Sequence, residues 1–152
     1  MSTNAPINIK NKKARFEYQL LDKFVAGMQL GGTEIKSIRA GKASIQESFC
    51  VVENGEVFIR NMYIKEYENA SFYQHTPVSD RKLLLNQQEI NKLEKKMNTK
   101  GFTIVPLRLF INNKGLAKLE IALAQGKKLH DKRQDLKAKD DKRAMDRIKK
   151  DY

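Results

Sequence analysis

Most of the residues that could do chemistry in this chain are cations. They gather at Lys10, Lys12, Lys13 and Arg15, at Lys36, Arg39 and Lys42, at Arg81 and Lys82, and from Lys127 onward. Phosphate groups need cations in contact, and several cations acting together give an affinity that falls as salt rises. Tyr18, Tyr63, Tyr67 and Tyr73 are interleaved with them and could offer faces on which unpaired bases stack. Each tyrosine has the alternative of a half-buried place in the core.

The catalytic inventory is thin. There are two histidines, His75 and His130, and one cysteine, Cys50. They show no metal-ligand spacing. Gly31-Gly32 lacks the pattern of a phosphate loop or a dinucleotide fingerprint. No nucleophile-and-base pair is visible in the sequence. Glu34 or Glu120 could in principle be a catalytic carboxylate, but a structural or salt-bridging role explains either more simply. The sequence points to a binding protein without a cofactor, not to an enzyme.

Composition agrees. The 152 residues hold 30 Lys and Arg against 18 Asp and Glu, a net charge of +12, which implies a polyanionic partner. No stretch reaches the roughly 18 consecutive apolar residues of a spanning helix. Residues 1–15 hold no apolar run suited to a cleaved signal. A single cysteine excludes an internal disulfide and fits a reduced, cytoplasmic setting. Residues 127–152 carry 11 basic and 6 acidic side chains and are much the denser part in charge. Their apolar residues are too few to offset ordering entropy alone. Yet Asp135 and Lys139, and Asp146 and Lys150, stand four apart, as helical ion pairs do. The pattern predicts a tail disordered when free and helical against RNA; a solvated helix without a partner stays open.

The elements that would position these residues read as follows. Residues 1–10 form a flexible leader. Phe16 to Leu20 alternate as a strand that continues to Leu30, with a bulge around Asp22 to Phe24. Thr33 to Ala40 make a short helix closed by Gly41. Ile45–Glu53 and Glu56–Ile64 flank Asn54-Gly55, the strongest short hairpin turn. Residues 65–80 are irregular. Leu83 to Leu85 read as a core strand, and Asn86 to Glu89 as a capping box that opens a helix through Met97. Phe102–Ile111 and Leu116–Ala124 form a second strand pair. Val105, Leu107, Leu109 and Ile111 share one face of its first strand. Leu119, Ile121 and Leu123 share one face of its second. The prediction is a mainly β, α+β domain over residues 11–126. It is a small antiparallel barrel of the oligonucleotide-binding type with one short and one longer helix, followed by the basic tail 127–152.

Five strings, in order, resemble one family. Asn11-Lys12-Lys13-Ala14-Arg15-Phe16-Glu17-Tyr18 is similar to the opening motif of the tmRNA-binding small protein B (SmpB) family. The run from Gly32 to Lys42 resembles its helix signature. Arg81-Lys82-Leu83-Leu84-Leu85 resembles its central motif, and Gly101 to Leu107 the next. Gly126 to Arg133 is similar to its barrel-exit motif. The resemblance implies a bacterial, cytoplasmic, monomeric protein of trans-translation with no cofactor and no membrane contact. Its partners would be the tRNA-like domain of tmRNA, the decoding centre and mRNA channel of the small ribosomal subunit, and indirectly elongation factor Tu. The tail would fill the empty channel of a stalled ribosome, so that the nascent chain is tagged and the ribosome released. A general single-stranded RNA-binding barrel is the alternative.

By the same resemblance, Asn11, Lys12, Lys13, Arg15, Glu34, Lys36, Arg39, Lys42, Lys82, Lys118, Lys127 and Lys128 would meet RNA. His130, Asp131, Lys132, Arg133 and Lys137 would engage the ribosome. Glu34 would either accept from base or ribose donors or orient Lys36 or Arg39. Two departures stand out. Val78-Ser79-Asp80 fills a space where the family usually carries another Arg, and Lys65-Glu66 replaces a Ser-Pro-like pair.

Overall fold

The computed structural model describes residues 7–70 and 72–126. The chain runs through β1 (Asn8–Lys10), α1 (Lys12–Glu17), β2 (Tyr18–Met28), α2 (Gly32–Arg39) and β3 (Ala43–Ser44). β4 (Phe49–Glu53), β5 (Glu56–Arg60), β6 (Tyr63–Ile64) and β7 (Arg81–Leu84) follow. Then come α3 (Gln87–Met97), β8 (Phe102–Ile111) and β9 (Ala117–Gly126). Pairing passes from β8 to β4, β5, β7, β2 and β9 and returns to β8, all antiparallel. The ring is closed, which removes most open sheet edges. β1 lies along the remaining edge of β8, and β3 pairs with β6 outside the ring.

Local chemistry sets several junctions as expected. Asn54 and Gly55 have φ of 52° and 77°, the two left-handed residues of a tight hairpin turn. Asn86 caps α3, accepting from the Glu89 amide while the Glu89 carboxylate accepts from the Asn86 amide. The register of β2 against β9 shifts between Leu20 and Lys23, close to the expected bulge. Leu119, Ile121 and Leu123 enter the main core with Ile38, Ile59, Leu83 and Leu93.

Other expectations are corrected. Residues 8–10 are not a loose leader: they form β1, paired with Arg108–Phe110. Phe16 and Glu17 belong to α1, and β2 starts only at Tyr18. Nor does β8 keep one face. Its register against β9 shifts between Pro106 and Arg108, which inserts Leu107 as an extra residue. Ile104 and Leu109 therefore point into the main core. Val105 and Leu107 fill a second, smaller core with Ala14, Ala122 and Ala124.

Asn11 secures that bulge. Its backbone amide donates to the Leu107 carbonyl at 2.8 Å, and its Nδ2 donates to the Pro106 carbonyl at 3.0 Å. Its Oδ1 accepts from the Ala14 amide and so caps α1. Only 3% of Asn11 is exposed, and its polar atoms are spent on holding the fold. Asn11→Ala should cost about 2–3 kcal/mol, since it opens a cap and leaves a buried carbonyl unpaired. Thermal denaturation would show the loss, and the salt dependence of RNA binding should not change.

Candidate nucleic-acid interface

Strand parity builds the interface. In β7, Arg81 and Leu83 point inward, so Lys82 and Leu84 must point out. Lys82 pairs in register with Phe58 on β5, and Leu84 with Gly27 on β2. Gly27 pairs in turn with Lys118 on β9. One outer row thus runs Leu84, Gly27, Lys118. A Cβ on Gly27 would lie 3.4 Å from the Leu84 Cβ and 3.6 Å from the Lys118 Nζ. Its absence leaves a groove of about 360 Å³ floored by Met28, Leu30, Ile35 and Leu116.

Two cations rim this apolar floor. Arg39 projects from α2 and is steadied by donating to the Gly115 carbonyl at 3.0 Å. Lys118 has no ion-pair partner among the described residues. Leu84 and Leu116 are half exposed beside them. Apolar contact with cations at the rim suits a folded RNA surface, whose riboses and bases lie between phosphates. Leu84, expected in the core, is instead part of this surface. Parity could have shown it, because Lys82 and Leu84 stand two apart.

α2 is positioned by a buried ion pair. Glu34 Oε1 accepts from the Gly31 amide at 2.8 Å, and Oε2 accepts from Arg81 Nε. Arg81 also donates to the carbonyls of Met62, Thr76, Pro77 and Ser79. One guanidinium thus ties α2, the link between β5 and β6, and the loop 65–80 together. Glu34 pairs with neither Lys36 nor Arg39; its partner is Arg81, which the sequence did not single out. His75 adds a second tie, with Nε2 donating to the Ile64 carbonyl and Nδ1 sharing a hydrogen bond with the Thr33 hydroxyl.

The other expected cations lie apart from this groove or are partly engaged. Lys82 pairs with Glu56 at 2.8 Å, so a phosphate would have to displace that carboxylate. Lys36 lies over the Tyr67 ring, 5.4 Å from its centre, and Lys42 lies 3.9 Å from Glu68. Lys12 and Arg15 are exposed on α1, while Lys13 pairs with Glu47, whose hydrogen bond raises the Lys13 pKa above the usual lysine value. Lys127, Lys128, His130, Asp131, Lys132, Arg133 and Lys137 lie outside the described residues. Burial pushes the Cys50 thiol pKa up, which makes it a poor nucleophile. Among the described residues no group of His, Cys, Asp or Glu could hold a metal, and no helix is long and apolar enough to cross a membrane.

Lys118→Ala should weaken RNA binding several-fold and reduce the slope of log affinity against log salt by about 1. Lys82→Ala should change the slope less, since Glu56 already neutralises Lys82 and little of its charge is left for a phosphate. A salt series of binding titrations on both variants separates them.

Comparison with known proteins bears on these features. A family model described as SmpB protein matches residues 8–151. The SsrA-binding protein of Christiangramia forsetii is 58% identical over 146 residues, covering 96% of this chain and 93% of that one. The SsrA-binding protein of Flavobacterium psychrophilum is 56% identical over 146 residues, covering 96% and 97%. A chain in a solved structure described as "tmRNA-SmpB: a journey to the center of the bacterial ribosome" is 40% identical, with a TM-score of 0.70, and the match covers 86% of this chain and 94% of that one. With its opening, helix and central motifs all set around one closed barrel, the chain belongs to the SmpB family.

Proposed function

We propose that this protein binds tmRNA through its tRNA-like domain and brings it to stalled bacterial ribosomes in trans-translation. The observation that carries this reading is near-full-length identity to SsrA-binding proteins, joined to the likeness to SmpB solved with tmRNA and the ribosome. The barrel holds the RNA on the outer row of Leu84, Gly27 and Lys118, with Arg39 at the rim. The basic tail enters the empty mRNA channel and folds there, with His130, Lys132 and Arg133 against ribosomal RNA. Elongation factor Tu joins through the RNA. The protein works in the cytoplasm as a monomer and carries no catalysis of its own.

The test is a filter-binding titration against the tRNA-like domain of tmRNA and an unstructured RNA of equal length, at several salt concentrations. A preference for the tRNA-like domain that survives near-physiological salt is expected, because specific contacts do not weaken as the phosphate contribution does. Equal binding that collapses with salt would instead favour a general RNA-binding barrel. Competition by excess unstructured RNA gives the same discrimination.

A further inference from the structure

A second groove opens on the same outer face, beside the row of Phe58 and Lys82. It measures about 520 Å³ and is lined by Gln29, Phe58, Tyr73, Ser79, Asp80 and Lys82. That is the size range of a small-ligand site. Two of its lining residues are aromatic. Phe58 is half-buried in β5, and Tyr73 is exposed on the loop 65–80.

The loop is held by its own contacts. Gln74 Oε1 accepts from the Tyr67 amide at 3.0 Å, and its Nε2 donates to the Tyr67 carbonyl at 2.9 Å. His75 and Arg81 fix the residues that follow. Tyr73 is therefore presented from an anchored backbone, with ring atom Cε2 4.0 Å from the position a Gly31 Cβ would take. A stacking surface prepared in this way loses less entropy on binding.

The polar lining is selective. Arg60 Nε holds Asp80 Oδ2 at 3.1 Å. Oδ1 has no hydrogen-bond partner among the described residues. A carboxylate only accepts. Guanine is the common RNA base whose pairing edge offers two adjacent donors, N1–H and the N2 amino group. The Gln29 amide offers donors that suit its O6. The Lys82 ammonium lines the same groove, held by Glu56 at 2.8 Å. Adenine, cytosine and uracil each place an acceptor where the Asp80 carboxylate would need a second donor.

We propose that this groove receives an unpaired guanine of the bound RNA, stacked on Tyr73 and read by Asp80. The proposal rests on the RNA-binding reading above and adds a base preference to it.

The test is an amide NMR titration of the full chain with two single-stranded pentanucleotides, rUUGUU and rUUUUU. The guanine-containing RNA should bind about tenfold tighter, in line with one good base-edge contact. The Gly31 and Ser79 amides should be among those that shift. Asp80→Asn should abolish the preference, while rUUUUU binds slightly tighter because one negative charge is lost from the groove. Tyr73→Ala should weaken both RNAs alike, by about fivefold or more, because stacking is sequence-tolerant. Melting curves on both variants check that the fold persists. Equal wild-type affinities, or a preference that persists in Asp80→Asn, would overturn the pocket. Titrating the tRNA-like domain alongside keeps the two readings apart. Tight binding of that domain without a guanine preference sinks the pocket alone. A guanine preference without selectivity for that domain sinks the proposed function alone.

Discussion

Replacing Arg81 with Ala should lower the melting temperature by roughly 10–20 °C, the largest stability effect expected of any single change here. Arg81 is 4% exposed and its side chain donates to five acceptors: Glu34 and the carbonyls of Met62, Thr76, Pro77 and Ser79. Removing it leaves the Glu34 carboxylate nearly buried without its partner, at a cost of about 3–5 kcal/mol. The stranded carbonyls add to that cost. Arg81→Lys should recover little, since one ammonium cannot match a planar fork aimed at several elements. Thermal unfolding followed by circular dichroism gives the number. An unchanged melting temperature together with a steep loss of RNA affinity would mean that Arg81 leaves its buried place to contact RNA.

The largest functional effect should come from the tail. Deleting residues 127–152 removes 11 basic and 6 acidic side chains. Low-salt affinity for any RNA should fall, because fewer counterions are released. The preference for the tRNA-like domain and the melting temperature should stay, since the outer row and both cores lie within residues 7–126. Tagging of nascent chains on stalled ribosomes should become undetectable. Lys132 and Arg133 changed together to Ala should show the same split in milder form. A truncated chain that unfolds, or that tags normally, would refute the division of labour between barrel and tail.

What the sequence revealed and what it hid follow from the range of the interactions. The Asn54-Gly55 turn and the Asn86 capping box depend on residues one to three apart, and both form as expected. The stretch Phe16 to Leu20 alternates like a strand, yet α1 takes its first half. The deciding partner is the bulge at Leu107, far along the chain, to which Asn11 binds. The phase change in β8 is hidden for the same reason. For Glu34 the sequence offers Lys36 and Arg39 as partners close by; the one it takes, Arg81, stands 47 residues away. Arg81 and Lys82 look alike by charge, and only the parity of β7 separates an internal tie from an outward cation. The basic clusters showed the class of ligand but not the groove, because its centre is Gly27, a residue with no side chain.

The inserted Leu107 also ties two parts of the molecule into one melting unit. Consecutive stretches of the same strand line the main core and the small core under α1. The helix cannot lift away without exposing Leu107 and releasing the Pro106 and Leu107 carbonyls held by Asn11. Short terminal helices usually fray in isolation. This one should instead exchange its Ala14 amide as slowly as the ring strands do, opening only when the whole barrel opens. Lys12 and Arg15, carried on that helix, then behave as charges fixed to a rigid body.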